Sequence, residues 1–583
     1  MIFTQYYLEC LSQASYLVGD ETTGRAVVVD PRRDVDEYVR DAEAAGLRIE
    51  RIIETHVHAD FLSGHLELAA RTGATIGYGE DATVDYPIEP LRDGQRLVLG
   101  DVVLEIRLTP GHTPESICIV VYEHAGDAVP YGVLTGDTLF IGDVGRPDLL
   151  VSSGSTADEL ARQLYHSIHE QLLTLPDDTR VFPAHGAGSA CGKQLSTETQ
   201  STIGEQRKTN YALAPMSEDE FVVAVTEGQP LKPAYFSFDA RLNREDRALL
   251  DEAAPVPELP IDEVLRVQAW GAALLDGREH ADFARGHLHG AINVGLAGRF
   301  AEYVGEVLRP DQDIVLVGDP ATAAEAKLRL GRIGFDRVVG QLADPAHVAE
   351  QHPERWDRSS RVTVEYLAEA LGAVDGLQLV DVRAPGETRA GTIRGAHLIP
   401  LPQLRDSLGT LDPRRPAVVF CAGGYRSSIA ASVLDSAGFV DASDLLGGFN
   451  AWAGLGLPVV HPDGERESTM NGSEVQEVDA DEGNALVKDG AMLLDVREPD
   501  EWVAGHATAA TWIPMKEVQA RVDELPKDRR IVAICRSGGR SAAVAEALQA
   551  WGYDAVNLQG GMRAWVAAGH DCVADDGSPG QVI

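Results

Sequence analysis

Two kinds of chemistry are written into the residue types and their spacing. The first lies in residues 55–65, Thr-His-Val-His-Ala-Asp-Phe-Leu-Ser-Gly-His. His56 and His58 follow the apolar pair Ile52-Ile53, so they sit where a buried strand opens into a loop, and Asp60 adds a carboxylate two positions on. Imidazoles and a carboxylate held at a rigid strand end are what a divalent metal takes as ligands. Three later segments end β-like runs in the same way: Thr109-Pro110-Gly111-His112-Thr113, Val133-Leu134-Thr135-Gly136-Asp137 and Val181-Phe182-Pro183-Ala184-His185-Gly186. An ordinary solvated loop explains one such residue, not four at strand ends.

The second is thiol chemistry. Ala417-Val418-Val419-Phe420 reads as a strand, followed by Cys421-Ala422-Gly423-Gly424-Tyr425-Arg426-Ser427 and a helix over 428–437. Residues 531–534 lead in the same way to Cys535-Arg536-Ser537-Gly538-Gly539-Arg540-Ser541 and a helix. A Gly-rich loop between a strand and a helix N-terminus turns backbone N–H groups inward, where the helix dipole adds positive potential. A thiol at the first loop position is biased toward thiolate, and Arg426 and Arg540 close the loop for anions such as thiosulfate or sulfite. Cys10, Cys118 and Cys572 lack that setting and read as buried small hydrophobes, while Cys191, close in sequence to His185, could border the metal pocket.

The elements that must position these groups fall into two patterns. Through residue 245, β-branched runs such as 102–108 and 117–122 alternate with amphipathic stretches at 34–45 and 156–175, as in two sheets flanked by helices. Beyond Pro255 the chain repeats itself. Leu274-Leu275-Asp276-Gly277-Arg278 recurs as Leu379-Val380-Asp381-Val382-Arg383 and Leu493-Leu494-Asp495-Val496-Arg497. Asp381 to Cys421 and Asp495 to Cys535 are each 40 residues apart by subtraction, and Gly447-Gly448-Phe449-Asn450-Ala451-Trp452 is matched by Gly560-Gly561-Met562-Arg563-Ala564-Trp565. In the first repeat, Gly318 stands at the Cys position, no Arg closes the loop and Asp319 repels anions, so this copy reads as a packing or docking unit. The expected domains are 1–245 for the metal site, 255–350 for the Cys-less repeat, 360–462 with Cys421 and 474–575 with Cys535, a polar linker covering 463–473.

The metal segments resemble the metallo-β-lactamase superfamily, and the repeats resemble the rhodanese (sulfurtransferase) domain. This implies an α/β fold class: an αββα sandwich followed by three α/β rhodanese domains with parallel sheets. Four residues separate Cys421 from Arg426 and Cys535 from Arg540, one fewer than in cysteine phosphatases, which is similar to sulfurtransferases that hold a sulfane sulfur as a persulfide and pass it on. Binuclear zinc hydrolases of the superfamily, glyoxalase II among them, carry His-x-His-x-Asp-His. Here Phe61 stands at the last position, and His65 falls on the face of a helix read over 62–71. A mononuclear site is favoured, as in the persulfide dioxygenases, in which two His and one Asp hold Fe(II). Carried onto this chain, the resemblance makes His56, His112 and Asp137 the metal ligands, with His58, Asp60 and His185 as orienting groups or ligands of an alternative second metal. Arg146 either positions the site, binds a substrate carboxylate, or pairs with Asp143 or Asp148, and Lys193 is a further candidate for substrate binding.

The function implied is oxidation of a low-molecular-weight persulfide, of the glutathione persulfide type, by O2 to sulfite and thiol at one iron. Sulfane sulfur transfer at Cys421 and Cys535, in sulfide metabolism, is coupled to it. The alternative is a binuclear zinc thioester hydrolase of the glyoxalase II type, with the rhodanese domains as sulfur carriers or docking modules. A net charge of −41 over 583 residues argues against nucleic acid or an anionic membrane as partner. With no membrane-length apolar run, no basic and apolar leader, and six cysteines in no regular framework, the expected place is the cytoplasm. Assembly into a homo-oligomer is left open.

Overall fold

The computed structural model describes residues 1–149, 156–462 and, between 477 and 582, all but 498, 519–520, 528, 537, 575–577 and 579. The linker expected over 463–473 lies outside the described residues. The chain forms two compact units, Met1–Gly464 and Glu465–Ile583.

The first unit opens with two six-stranded sheets. One runs in chain order from Ile2–Leu8 to Glu89–Leu91; the other has the order Ser201–Thr202, Arg180–Pro183, Gly132–Gly136, Ile117–Tyr122, Val103–Leu108, Arg96–Val98. Inner strands such as Ile117–Tyr122 and Gly132–Gly136 are buried on both faces because each sheet is covered on both. Along Arg25–Val29, Val27 and Val29 pack between the sheets with Ile53, Leu104, Ile106 and Ile119, whereas Ala26 and Val28 pack outward with Tyr38 and Leu68 of the flanking helices. On the second sheet, Cys118 and Val120 face outward onto Leu164, Ile168 and Phe221. The period of two thus serves two cores at once, which gives the expected αββα layering.

Each rhodanese repeat is a parallel sheet. The Cys-less repeat orders Ile292–Asn293, Ala273–Asp276, Ile314–Val317 and Val338–Leu342. The second orders Ser360–Val362, Ala442–Leu445, Ala417–Phe420, Gln378–Asp381 and His397–Leu398, and the third, in the second unit, has the same five-strand pattern from Glu477–Val478 to Ala510–Trp512.

Within the first unit a single apolar core runs through the metal domain and the first two repeats, joining Phe61 and Phe140 to Tyr235, Phe236 and Phe300, and on to Leu401, Leu404 and Ile429. Polar ties follow the same seam. Arg33, buried, pairs with Glu67 at 2.8 Å and with Asp336 of the Cys-less repeat at 2.6 Å, and the Leu62 amide donates to the Arg332 carbonyl at 2.7 Å. The loop that follows Asp60 is therefore held from outside its own domain.

Some local expectations shift. The helix read over 62–71 begins at His65, as His65–Thr72, because the Leu62 amide is drawn to the Arg332 carbonyl of the Cys-less repeat and the Gly64 amide to the Pro31 carbonyl. The stretch read over 156–175 is an α-helix, Ala157–His166, capped by Thr156 in a capping box, and it continues as a π-turn over Ser167–Leu172. Cys118 is buried as expected, but Cys10 and Cys572 are only half-buried. No helix among the described residues is long and apolar enough to cross a membrane.

Candidate metal centre and thiol sites

All four metal-site segments leave the C-terminal ends of strands. His56 follows Arg48–Ile53, His112 follows Val103–Leu108, Asp137 follows Gly132–Gly136 and His185 follows Arg180–Pro183. The structure brings His56, His112 and Asp137 together, one ligand atom from each within 4.8 Å of the others, and a second set of the same kind comprises His58, Asp60 and His185. All six are buried. His112 Nε2 lies 3.4 Å and His56 Nε2 3.9 Å from Asp137 Oδ2; His185 Nε2 lies 3.1 Å from Asp60 Oδ2 and 3.5 Å from Asp137 Oδ1.

Three of the four rings, those of His56, His112 and His185, are oriented through the other nitrogen. His112 Nδ1 meets the Arg146 carbonyl at 2.9 Å, His185 Nδ1 the Ser12 carbonyl at 3.1 Å, and His56 Nδ1 the Thr55 hydroxyl at 3.0 Å. Thr55 is itself held by Asp30, through its amide at 2.7 Å and its hydroxyl at 2.9 Å. An imidazole whose Nδ1 donates to a carbonyl keeps its Nε2 lone pair for a cation. Burial, then the neighbouring His58, His112 and His185, push His56 well below the usual imidazole range, which favours its neutral form.

The donor set fits a divalent cation. Both oxygens of Asp137, Asp60 Oδ1 and His185 Nε2 are buried with no hydrogen-bond partner among the described residues. Such orphaned acceptors are costly unless a cation satisfies them. Phe61, in place of a further ligand, lies against His58 with ring centroids 4.4 Å apart and joins the common core. His58 Nε2 stands 3.1 Å from Asp30 and 3.3 Å from Glu54; burial opposes its charge, but these carboxylates outweigh burial and raise it well above the usual range. Asp30 and Glu54 carried no signal in sequence beyond being polar at the ends of apolar runs.

His65 is buried 3.4 Å from Glu54 and is absent from the metal-capable groups among the described residues. Cys191 borders the centre, grouped with Asp137 and His185, and burial followed by Asp60 and Asp137 keeps its thiol protonated. Arg146 is 2% exposed and committed to Asp148, 2.7 Å at both Nε and Nη2, and to the Ala190 carbonyl. Of the roles open to it, the pair with Asp148 is the one formed, and its own carbonyl orients His112. Lys193 lines the chamber described below, and its ammonium donates to the Ala224 and Glu227 carbonyls and lies over Tyr211, capping the helix Glu218–Thr226.

In both thiol loops the sulfur sits at a helix N-terminus. Gly424 N–H donates to Cys421 Sγ at 3.1 Å and Gly538 N–H to Cys535 Sγ at 3.2 Å; the Ser427 and Ser541 hydroxyls stand at 3.5 and 3.4 Å. Gly424 and Gly538 take φ of 109° and 97°, where a side chain would be strained. The recurring Gly-Gly-x-x-Ala-Trp segment braces the loop, with the Phe449 and Met562 amides donating to the Cys421 and Cys535 carbonyls at 2.7 Å each. Arg426 and Arg540 are bidentate to Glu387, 2.7 Å twice, and to Glu501, 2.6 Å twice. Sequence reading missed these glutamates, although each stands four residues after the Arg of its Asp-x-Arg motif.

A chamber of about 810 Å³ lies between the metal-site loop and the repeat that carries Cys421. Asp60 lines one side, Arg426 and Glu387 another, and Arg299, Glu302 and Glu306 of the Cys-less repeat a third. Burial raises Glu302 to about 7 and Glu306 to about 8, in each case against the pull of Arg299.

A two-sheet sandwich with His and Asp ligands at its strand ends, followed by Cys loops on parallel sheets, defines a metal-dependent domain joined to sulfurtransferase-type domains. Comparison with known proteins agrees: residues 8–185 match the metallo-beta-lactamase superfamily, and 261–342, 363–455 and 479–568 match the rhodanese-like domain. The persulfide dioxygenase ETHE1, mitochondrial, of Bos taurus is 32% identical over 235 residues, covering 39% of this chain and 82% of that protein. A beta-lactamase hydrolase-like protein of Xylella fastidiosa is 30% identical over 314 residues, 48% of this chain and 64% of its own length. A metallo-beta-lactamase crystal structure from Staphylococcus aureus superposes with a TM-score of 0.53 at 34% identity, covering 59% of this chain and 98% of that one. The chain belongs to the metallo-beta-lactamase superfamily, with persulfide dioxygenase homologues of its N-terminal domain, and carries three rhodanese-like domains behind it.

Proposed function

We propose that this protein is a persulfide dioxygenase with sulfurtransferase activity, acting in sulfide metabolism. The homology supports persulfide oxidation and sulfur transfer in general; the reaction proposed is that of a glutathione-type persulfide. In balance, the persulfide anion, O2 and one water give thiolate, sulfite and two protons. Fe(II) held by His56, His112 and Asp137 would supply open coordination positions for persulfide and O2, and the electrons for O2 reduction come from the outer sulfur of the persulfide, which is oxidised to sulfite. The chain's own groups do the rest: carbonyls fix the imidazole tautomers, Asp60 and His185 are placed to hold a proton beside the centre, and the core around Phe61 excludes water. At the thiol loops, sulfite attacks the outer sulfur of a Cys421 or Cys535 persulfide, an S–S bond forms to sulfite as the Cys–S bond breaks, and thiosulfate leaves with the thiolate restored. Arg426 and Arg540 would face the anions.

The observation that carries this reading is the pairing of a His-His-Asp set with orphaned Asp137 oxygens and a chamber that reaches from Asp60 to Arg426. The test is O2 uptake by iron-loaded protein with glutathione persulfide. Uptake should be abolished in His112→Ala, and a wild type that takes up none overturns the reading. The second cluster, His58, Asp60 and His185, favours one alternative, a binuclear zinc thioester hydrolase of the glyoxalase II type. Two tightly held zinc ions with turnover of S-lactoylglutathione would establish it.

A further inference from the structure

We propose that His287, Asp357 and Asp435 form a separate cation site, at the seam between the Cys-less repeat and the repeat carrying Cys421, suited to a divalent metal of the zinc class. His287 opens the short strand His287–Leu288 and is the cross-strand partner of Asp357 in Trp356–Asp357. Asp435 comes from the last turn of the helix Tyr425–Ser436, whose first turn carries Arg426. One ligand atom from each residue lies within 4.8 Å of the others, and His287 Nε2 is 3.5 Å from Asp435 Oδ2. Ligands bonded to tetrahedral zinc at about 2.0–2.2 Å sit roughly 3.3 Å apart, so little movement is needed to close the site.

Three observations separate this group from a chance cluster of acids. His287 is 1% exposed, its Nδ1 is held at 3.0 Å by the Phe283 carbonyl, and its Nε2 is buried with no hydrogen-bond partner. With Nδ1 as donor, the Nε2 lone pair points at the carboxylates. Asp435 Oδ2 is also buried without a hydrogen-bond partner, in a C-terminal turn with no basic residue, where the helix dipole disfavours a carboxylate unless a cation is near. The third repeat supplies the control. His506 is held in the same way, Nδ1 2.9 Å from the Trp502 carbonyl and stacked at 3.7 Å, against 3.8 Å for His287 on Phe283. Yet His506 joins no metal-capable group among the described residues. The repeat fold places the imidazole; the seam adds the acids.

His289, in contact with Asp357, orients that carboxylate. Water would complete four-coordination, as at other sites with three protein ligands. A cation bound here fastens the helix that follows the Cys421 loop to the strand ladder of the neighbouring repeat.

The test uses full-length protein stripped with chelator and reloaded with Zn²⁺. Zinc is counted by elemental analysis and located in crystals by anomalous scattering at the zinc edge. A peak should appear at His287 Nε2. His287→Gln and Asp435→Asn should each bind one equivalent less than wild type, and His506→Gln the full number. Asp435→Asn guards against loss of fold, because with chelator present its melting temperature should match that of wild type, while added zinc should raise it less. No peak at the seam, or variants that retain the full count, overturns the site.

Discussion

The Cys-less repeat and the repeat with Cys421 share a frame and differ at one helix N-terminus. In both, the Asp-x-Arg motif folds back on itself, Arg278 Nη2 to Asp276 and Arg383 Nη2 to Asp381 at 2.6 Å each, and the same guanidinium reaches the Gly286 or Gly391 carbonyl. After the next strand they part. Asp319 caps the helix Pro320–Gly331, accepting from the Ala321 and Thr322 amides at 2.9 Å each. The helix Tyr425–Ser436 has no side-chain cap; the free end faces Cys421 sulfur. A helix N-terminus can be quenched by the chain's own carboxylate or left to an external anion. The first repeat lacks the sulfur, and its anion position is already filled by Asp319.

Five experiments sharpen or break this contrast. The largest effect is expected for Cys421→Ser with Cys535→Ser: thiosulfate:cyanide sulfur transfer should fall by roughly 10³-fold or more, the scale of removing a nucleophile. Restoring Cys at position 318 in that background, as Gly318→Cys, should recover none of it, since Asp319 still occupies the helix end; recovered turnover would break the comparison. In the Cys535→Ser protein, Arg426→Lys should lower transfer on the order of tenfold by giving up one of two charge-assisted bonds to Glu387.

The chamber wall supplies a pH test. Glu306, raised by burial from 4.5 to about 8, favours its protonated form in the fold, so its contribution is complete below pH 4.5 and is lost as pH rises through 8. The melting temperature should fall from about pH 5 to about pH 8 and level off above that, and Glu306→Gln should flatten that fall, gaining about 1–2 kcal/mol at the alkaline end after allowance for solvent screening. The smallest effect is that of Asp319→Ala, which removes a cap and should cost about 1 kcal/mol of stability, read by denaturant unfolding.

Much of this was legible in the sequence because it depends on local order. The period-two runs found both sheets, and the Asp-x-Arg and Gly-Gly-x-x-Ala-Trp recurrences found the three repeats, since each encodes bonds within a few residues or between neighbouring loops. The four His and Asp side chains at strand ends were visible for the same reason. What stayed hidden arises from meetings distant in sequence. Glu387 pairs with Arg426 across 39 residues, and Arg33 with Asp336 across 303. The helix end that Lys193 caps was hidden too, because nothing in its sequence surroundings announces it. Phe61 looked like a missing ligand, and its positive role, in a core with Tyr235 and Phe300, needs the next domain to be present.

The three-walled chamber carries a practical warning for anyone dissecting the molecule. Cutting after residue 245 would remove two of its sides and expose Phe61, Tyr235 and Phe236, so an isolated N-terminal fragment should be sticky in solution and should leak whatever its centre releases. Kinetics taken on such a fragment would describe a vessel with its lid and one flank sawn off.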